Sequence, residues 1–167
     1  LMLSLASPLG GYLSDKISTR WLASGGLLIT ATGYFLLSFL EPDWSWQDVV
    51  WRSALLSLGF GLFQSPNSSS ALNVSPATER GIASSLIAFM RNLGLVTGIA
   101  LGATVWYAAR NAHSQHFLTD SLSVAAQVEG MQMVYRVIAL LLLIAVIISL
   151  LRGNNKGTPA TIQEPIL

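Results

Sequence analysis

Long runs without charge are the feature that most limits what this chain can fold into. Trp21 to Leu40 contains 20 residues and no charge, and Ser53 to Thr78 contains 26. Gly81 to Ala109 contains 29 residues with one charge, Arg91, and a fourth run ends at Leu151. About 20 apolar residues in a helix cross the hydrocarbon core of a bilayer. The runs therefore predict four transmembrane helices, at about 21–40, 51–74, 81–109 and 131–151, in an all-α polytopic membrane bundle.

The composition agrees with a membrane protein and disfavours several other classes. Charged residues form 10% of the chain, against about 25% in soluble domains, which is too few to cover a surface in water. The net charge of +1 gives no sign of nucleic-acid binding, and no cysteine is present. An integral membrane enzyme would need His, Asp or Glu at membrane depth, and no acidic residue lies inside a predicted span. We expect no enzyme activity, no metal and no cofactor, with the lipid bilayer as a partner.

The two ends of the chain and its charge distribution predict an orientation. Residues 1–10 are apolar but span half a bilayer, so we expect them to end a helix that starts earlier in a longer protein. We expect residues 11–20 to form a cytoplasmic loop and the polar residues 152–167 a disordered cytoplasmic tail. Lys and Arg concentrate on the cytoplasmic side of membrane proteins. Five lie on the predicted inner side: Lys16, Arg20, Arg80, Arg152 and Lys156. Three lie on the outer side: Arg52, Arg110 and Arg136.

Polar residues inside the second predicted span are candidates for a substrate cavity. Pro66 removes a backbone donor and is expected to kink that helix near the middle of the membrane. Gln64, Asn67 and Ser68 lie within about one turn of it, and buried amides must form hydrogen bonds. Two interpretations stay open: the side chains line an aqueous cavity, or they bond to a neighbouring helix.

The third predicted span carries a cation at membrane depth and a row of glycines. Arg91 lies ten residues into the span with Asn92 beside it, where a guanidinium needs water or a partner. It is either a cavity or gate contact, or a structural ion pair nearer the membrane surface. Small residues let membrane helices approach closely, so the glycines at every fourth position predict a packing stripe. These are Gly94, Gly98 and Gly102.

The polar segment before the first complete span carries a recognisable pattern. Residues 9–21 read LGGYLSDKISTRW, which places Gly11, Asp15, Lys16 and Arg20 in one short turn. The pattern resembles the loop motif of the major facilitator superfamily, Gly-x-Leu-x-Asp-Arg/Lys-x-Gly-x-Arg/Lys, although Ser18 replaces the second glycine. The stretches GFGLFQSPNSSSALN and ERGIASSLIAFMRNLGLVTGIALG resemble more narrowly the fourteen-span drug:proton antiporters of the QacA/EmrB type.

This resemblance implies the C-terminal part of a secondary transporter, with a partial C-terminal bundle of the family's fold. In such proteins two helical bundles rock around a central site. Asp15 would contact a helix N-terminus in the other bundle, and Gly11 would permit close helix approach. Lys16 and Arg20 would complete a charge network that latches the outward-open state. The implied activity is export of drugs or other small molecules across the bacterial cytoplasmic (inner) membrane. The proton gradient would be the energy source and the N-terminal half the protein partner.

One alternative from another class remains open. The chain could be a small four-span scaffold or accessory subunit without a transport cycle. The upstream gene sequence would distinguish the two, since a transporter requires eight to ten further spans by analogy with the family. The substrate, the residues that couple to protons and the oligomeric state are not readable from these residues.

Overall fold

Four long helices make up almost all of the chain that the structure describes. The structure is a computed structural model and describes residues 10–13, 16–116 and 124–151. The helices are α1 (Thr19–Leu37), α2 (Trp46–Asn73), α3 (Arg80–His116) and α4 (Val124–Leu151). A short 3-10 turn, Ala77–Glu79, precedes α3, and the described residues contain no strand. The all-α prediction is confirmed. The predictions for Asp15, for residues 1–9 and for the tail at 152–167 lie outside the described residues.

The helices extend beyond the predicted apolar spans. α2 begins at Trp46 rather than near 51, because the Ser45 hydroxyl accepts a hydrogen bond from the Gln47 N–H at 3.4 Å and caps the helix. Asp48 in the first turn also favours a helix start at that end. α3 has 37 residues, about 55 Å at 1.5 Å each, which exceeds the roughly 30 Å hydrocarbon core. Hydropathy locates the apolar part of a helix and not its hydrogen-bonded ends.

Within the described residues, two helices are long and apolar enough to cross a membrane: Ala77–Ala112 and Val124–Leu151. None of the most apolar window of the first is buried inside the chain, and only 11% of that of the second. A core helix of a soluble protein would be mostly covered by its own chain. α2 is rich in Ser, Gly and amide residues, and α1 has only 19 residues, which include Arg20. The count of four spans therefore stays a prediction.

The tightest contact in the bundle is the crossing of α1 and α2. A Cβ placed on Gly26 would lie 2.7 Å from the Gly59 carbonyl oxygen, and one placed on Gly59 would lie 2.6 Å from the Thr30 nitrogen. One turn further along, a Cβ on Gly33 would lie 2.7 Å from the Leu56 Cβ. The Thr30 hydroxyl donates to the Gly26 carbonyl at 2.9 Å, so it leaves no unpaired donor in the interface. Small residues on both helices let the backbones touch, which is the main source of packing energy between membrane helices.

α4 packs along the other side of α1. The Ser24 and Ser149 hydroxyls form a hydrogen bond of 2.8 Å. Tyr34 and Tyr135 have ring centroids 6.0 Å apart. At the far end, the Gln132 side-chain amide donates to the Leu40 carbonyl at 2.5 Å. This last bond satisfies a carbonyl just beyond the α1 C-terminus, where no intrahelical donor is available.

α3 joins the bundle at one end only. A Cβ placed on Gly130 of α4 would lie 2.7 Å from Trp106 Cδ1, so the indole of α3 lies directly on the α4 backbone. The Trp106 indole N–H donates to the Gln127 carbonyl at 3.4 Å. The contact of α3 with α2 is slight, near the turn that connects them. The N-terminal half of α3 stands away from the other described helices.

Candidate functional site

The described part of the motif segment packs against α2. Residues 10–13 are helical. A Cβ placed on Gly10 would lie 3.3 Å from the Gly61 carbonyl oxygen, whereas one on Gly11 would lie 3.6 Å from the Ser65 hydroxyl. The closer approach is therefore at Gly10, and Gly11 has room for an ordinary contact. The motif segment thus reaches α2 within one turn of Pro66.

The cations of the motif lie over their own aromatic neighbours. Lys16 Nζ lies 4.6 Å from the Tyr12 ring centroid, and the Arg20 guanidinium lies 6.0 Å from the Trp21 ring. Lys16 is exposed, and Arg20 is half-buried with its Nε buried and without a hydrogen-bond partner. Such contacts are worth about 0.5–1 kcal/mol at exposed sites. These cation–π contacts fix the direction of the Lys16 and Arg20 side chains. Asp15 lies outside the described residues.

Pro66 is fully buried, and α2 continues without a break through it. Its missing N–H leaves the Leu62 carbonyl without its helical donor. The Ser69 hydroxyl donates to the Ser65 carbonyl at 2.8 Å in the same turn. Pro66 lies about three quarters of the way along α2, because that helix starts at Trp46. Within the helix, Pro66 lies nearer the end that precedes α3, and its depth in the membrane stays a prediction.

The polar candidates of α2 lie beside the motif segment. Gln64, Asn67 and Ser68 are all half-buried in the described chain. Gln64 and Pro66 flank Ser65, whose side chain lies next to the backbone of Gly10 and Gly11. Of the predicted motif residues, Gly11 therefore lies next to Ser65 of α2, one residue from Gln64 and two from Asn67. That Gln64, Asn67 and Ser68 line a cavity stays a prediction.

Arg91 and Asn92 lie apart from that polar turn. Both are exposed on α3, as is every residue from 88 to 101. A charge at the centre of a spanning helix costs about 2.5–3.5 kcal/mol on insertion scales. An exposed Arg91 in mid-helix therefore requires a polar contact beyond the described helices.

The predicted glycine stripe of α3 makes little contact within the described chain. A Cβ placed on Gly94 or Gly98 would meet no atom within 4 Å, and one on Gly102 would lie 3.9 Å from Val134 Cγ1. Its role as a packing surface stays a prediction. The close glycine contacts occur instead at Gly26, Gly59 and Gly130, none of which belongs to the predicted stripe. The spacing of Gly26, Thr30 and Gly33, which places small residues on one face of α1, is the pattern that could have predicted the close contact with α2.

A cluster of contacts around Arg52 at the start of α2, which we call the Arg52 cluster, is a further feature that the sequence did not reveal. The Arg52 guanidinium lies 3.8 Å from the Trp44 ring centroid and 4.3 Å from that of Trp51. Its Nη1 donates to the Asp48 carbonyl at 2.7 Å and lies 3.3 Å from the Asp48 carboxylate. The loop before α2 is thereby attached to the helix. No group of three or more His, Asp or Glu that could hold a metal ion occurs among the residues the structure describes.

Comparison with known proteins identifies the family. The profile described as Major Facilitator Superfamily matches residues 1–165. This chain belongs to the Major Facilitator Superfamily. Major facilitators are transporters rather than enzymes, and the apolar helices agree with a multi-pass membrane protein.

Individual relatives of this major facilitator also carry transporter names. It is 37% identical over 97 residues to the "Uncharacterized transporter YebQ" of Escherichia coli, which is 58% of this chain and 21% of the relative. It is 32% identical over 130 residues to a triacylglyceride transporter of Mycolicibacterium smegmatis, which is 71% of this chain and 22% of the relative. A triacylglyceride transporter of Mycobacteroides abscessus is 32% identical over 108 residues. The chain spans about a fifth of the length of these relatives. No solved structure matches it significantly.

Proposed function

We propose that this chain is the C-terminal part of a secondary active transporter of the fourteen-span drug:proton antiporter branch. The full-length protein exports drugs or other small molecules across the bacterial inner membrane by alternating access, and the proton gradient drives export. The contact between the motif segment and the polar turn of α2 carries this proposal. It places Gly10 and Gly11 against Gly61 and Ser65 of α2, in the part of the helix that carries the candidate solute-binding side chains.

The physical basis of the coupling is the small separation of the two segments. A Cβ added to Gly10 would lie 3.3 Å from the Gly61 carbonyl oxygen. Because residues 10–13 pack this closely against α2, a shift of one segment displaces the other. Pro66 frees the Leu62 carbonyl and lowers the cost of bending α2 at that point. A displacement of the motif loop can thus reach Gln64, Asn67 and Ser68. Arg91 and Asn92 lie on a different helix, apart from this polar turn.

Asp15 is the residue whose removal tests the proposal most directly. In the outward-open state its carboxylate stabilises the N-terminal end of a helix in the other bundle, which is worth about 1 kcal/mol. Loss of that charge shifts the balance of the two states by roughly fivefold. We expect Asp15→Asn in the full-length protein to reduce efflux of a lipophilic cationic dye, measured as dye uptake into energised inverted vesicles, whose cytoplasmic face is outside. The amount of protein in the membrane should not change.

Asp43→Asn is the matched control, because Asp43 is an exposed carboxylate in the loop before α2 and lies outside the motif. It should leave efflux unchanged, and a protonophore should abolish efflux by the unaltered protein. Efflux by Asp15→Asn at the unaltered rate would contradict the latch. Efflux that persists with the protonophore would contradict proton coupling.

A second candidate substrate is a triacylglyceride. It is favoured by the M. smegmatis relative, whose similarity covers 71% of this chain. The same vesicles distinguish the two substrates, since a transported triacylglyceride should compete with the dye and should itself move across the membrane. The four-span scaffold without a transport cycle is not favoured, because the family profile and the named relatives are those of transporters.

A further inference from the structure

The N-terminal half of α3 presents a helix face that the described chain does not cover. Residues 88–101 are all exposed, whereas Gly102, Val105, Trp106 and Ala109 are half-buried. Gly102 faces Val134 of α4, and Trp106 lies on Gly130. α3 and α4 therefore touch near Gly102 and Trp106 and separate toward Arg80.

The covered and uncovered parts belong to the same face of α3. Since a helix turns about 100° per residue, Arg91, Gly98, Gly102 and Ala109 fall within about 40° of one another. Gly94 lies about 60° to one side of Arg91 by the same count. The face that packs against α4 at its far end thus carries Arg91, Gly94 and Gly98 where the helices have separated. We name this uncovered part the Arg91 face.

The depth of Arg91 limits what can cover this face. Arg91 lies 11 residues after Arg80, about 16 Å along the helix and so about half of a 30 Å hydrocarbon core. Lipid tails offer no counter-charge there, and headgroup phosphates lie at the membrane surface. A cation at this depth pairs with an anion or lies in a watery cavity.

This chain does not supply the anion. It contains eight acidic residues, and none lies within a predicted span. The described ones occupy loops or helix ends: Glu41, Asp43, Asp48, Glu79 and Glu129. A second copy would offer no carboxylate at this depth, and a two-fold contact through this face would set Arg91 against its own counterpart.

We propose that the Arg91 face receives a transmembrane helix from the part of the full-length transporter outside this chain. That helix carries an aspartate or glutamate opposite Arg91. The inference rests on the proposed function, because it takes the chain as part of a longer transporter, and the match covers only about a fifth of each relative. Gly94 and Gly98 leave the space for a second backbone. Close approach excludes water, which strengthens the ion pair through the low local dielectric.

The full-length protein in detergent provides a test that does not depend on transport. Arg91→Gln removes the charge, and Gly98→Leu fills the space for the incoming helix. Ala100→Leu is the matched control, because Ala100 is also exposed and lies about 180° from Arg91 on α3. Apparent melting temperature and the monodisperse fraction on size exclusion are measured for each variant.

We expect Arg91→Gln and Gly98→Leu to lower both quantities, Ala100→Leu to leave them unchanged, and Arg91→Lys to retain most of the stability. Equal loss in Gly98→Leu and Ala100→Leu would overturn the proposal, since no single face would then be in close contact. Unchanged stability in Arg91→Gln would overturn the ion pair. These outcomes can be read even if the protein exports nothing.

Charge exchange identifies the source of the carboxylate. In an Arg91→Glu background, each acidic residue in the remaining spans is changed to Arg in turn. One such pair should recover the melting temperature of the unaltered protein, and failure of every pair would contradict the proposal. If Arg91→Gln instead leaves stability intact and lowers only the transport of carboxylate-bearing solutes, the substrate supplies the anion and the helix proposal is wrong.

Discussion

At the scale of single residues, two adjacent glycines of α1 differ sharply in what surrounds them. A Cβ on Gly26 would lie 2.7 Å from both the Gly59 oxygen and the Phe63 nitrogen, whereas one on Gly25 would meet nothing within 4 Å. We expect Gly26→Ala to destabilise the protein by about 1–3 kcal/mol, because backbone atoms must move apart. Gly25→Ala should be neutral or stabilising by up to about 1 kcal/mol through helix propensity. Thermal unfolding of the full-length variants in detergent measures the difference, and equal melting temperatures would contradict the close crossing.

The glycines also show how far single residues could be predicted. Gly94, Gly98 and Gly102 were chosen because they repeat every fourth residue, yet the closest contacts in the described chain involve Gly26, Gly59 and Gly130. Spacing identifies a smooth helix face but not the helix that lies on it. Which helix packs on a smooth face depends on tertiary contacts. Within the described chain, a Cβ on Gly94 or Gly98 meets no atom of another helix.

At the scale of secondary-structure elements, the Arg52 cluster holds the loop between α1 and α2. Arg52 lies against both Trp44 and Trp51 and bonds to Asp48. Two cation–π contacts are worth about 1–2 kcal/mol together, so Arg52→Gln should raise the opening of this loop by roughly tenfold. Arg52→Lys should recover only part of the effect, because an ammonium lacks the planar stacking surface.

Cleavage after Trp44 by chymotrypsin, added to the outside of right-side-out membranes, measures that opening. Arg136→Gln is the control, because Arg136 is an exposed arginine predicted on the same side of the membrane. Arg52→Gln should be cut faster than the unaltered protein and Arg136→Gln at the same rate. Equal cleavage of Arg52→Gln and the unaltered protein would mean that the cluster does not restrain the loop.

Element positions could be predicted from the sequence more reliably than their ends. Each of the four predicted spans lies within a described helix over most of its length. The ends were missed where capping rather than hydropathy decides them, as at Ser45, whose hydroxyl accepts from the Gln47 N–H. α3 begins at Arg80, one residue before the predicted span, and the 3-10 turn Ala77–Glu79 that precedes it was not predicted. Local hydrogen bonds of this kind depend on the loop conformation, which hydropathy does not encode.

At the scale of the whole molecule, the described helices form an open bundle that buries little of its apolar surface. Large apolar side chains are exposed along α3 and α4, among them Leu93, Val96, Ile144 and Ile148. In water such a surface would aggregate, whereas lipid or further helices of a transporter would cover it. The family could be predicted from the motif and the polar runs. The contacts that complete the site could not, because this chain covers only about a fifth of the length of its relatives.

The orientation of the whole molecule follows from its charges and can be tested at the two ends of α2. The loop before α2 contains Glu41 and Asp43, whereas the turn after it leads to Arg80. Positive residues stay preferentially on the cytoplasmic side, so we expect the first loop outside and the second inside. Because this chain has no cysteine, Asp43→Cys and Thr78→Cys can each be made as single sites in an otherwise cysteine-free full-length protein.

A membrane-impermeant maleimide added to intact cells, or to spheroplasts where an outer membrane blocks access, should label Asp43→Cys. It should label Thr78→Cys only after the membrane is permeabilised. Both residues are exposed in the described chain, so unequal labelling reports the side of the membrane and not burial. Labelling of both variants in intact cells would mean that α2 does not cross the bilayer. α2 fails the hydropathy test that α3 and α4 pass because its Ser, Gly and amide residues dilute it. Labelling at one end only would show that these polar residues cross the membrane with it, as a solute-binding helix requires.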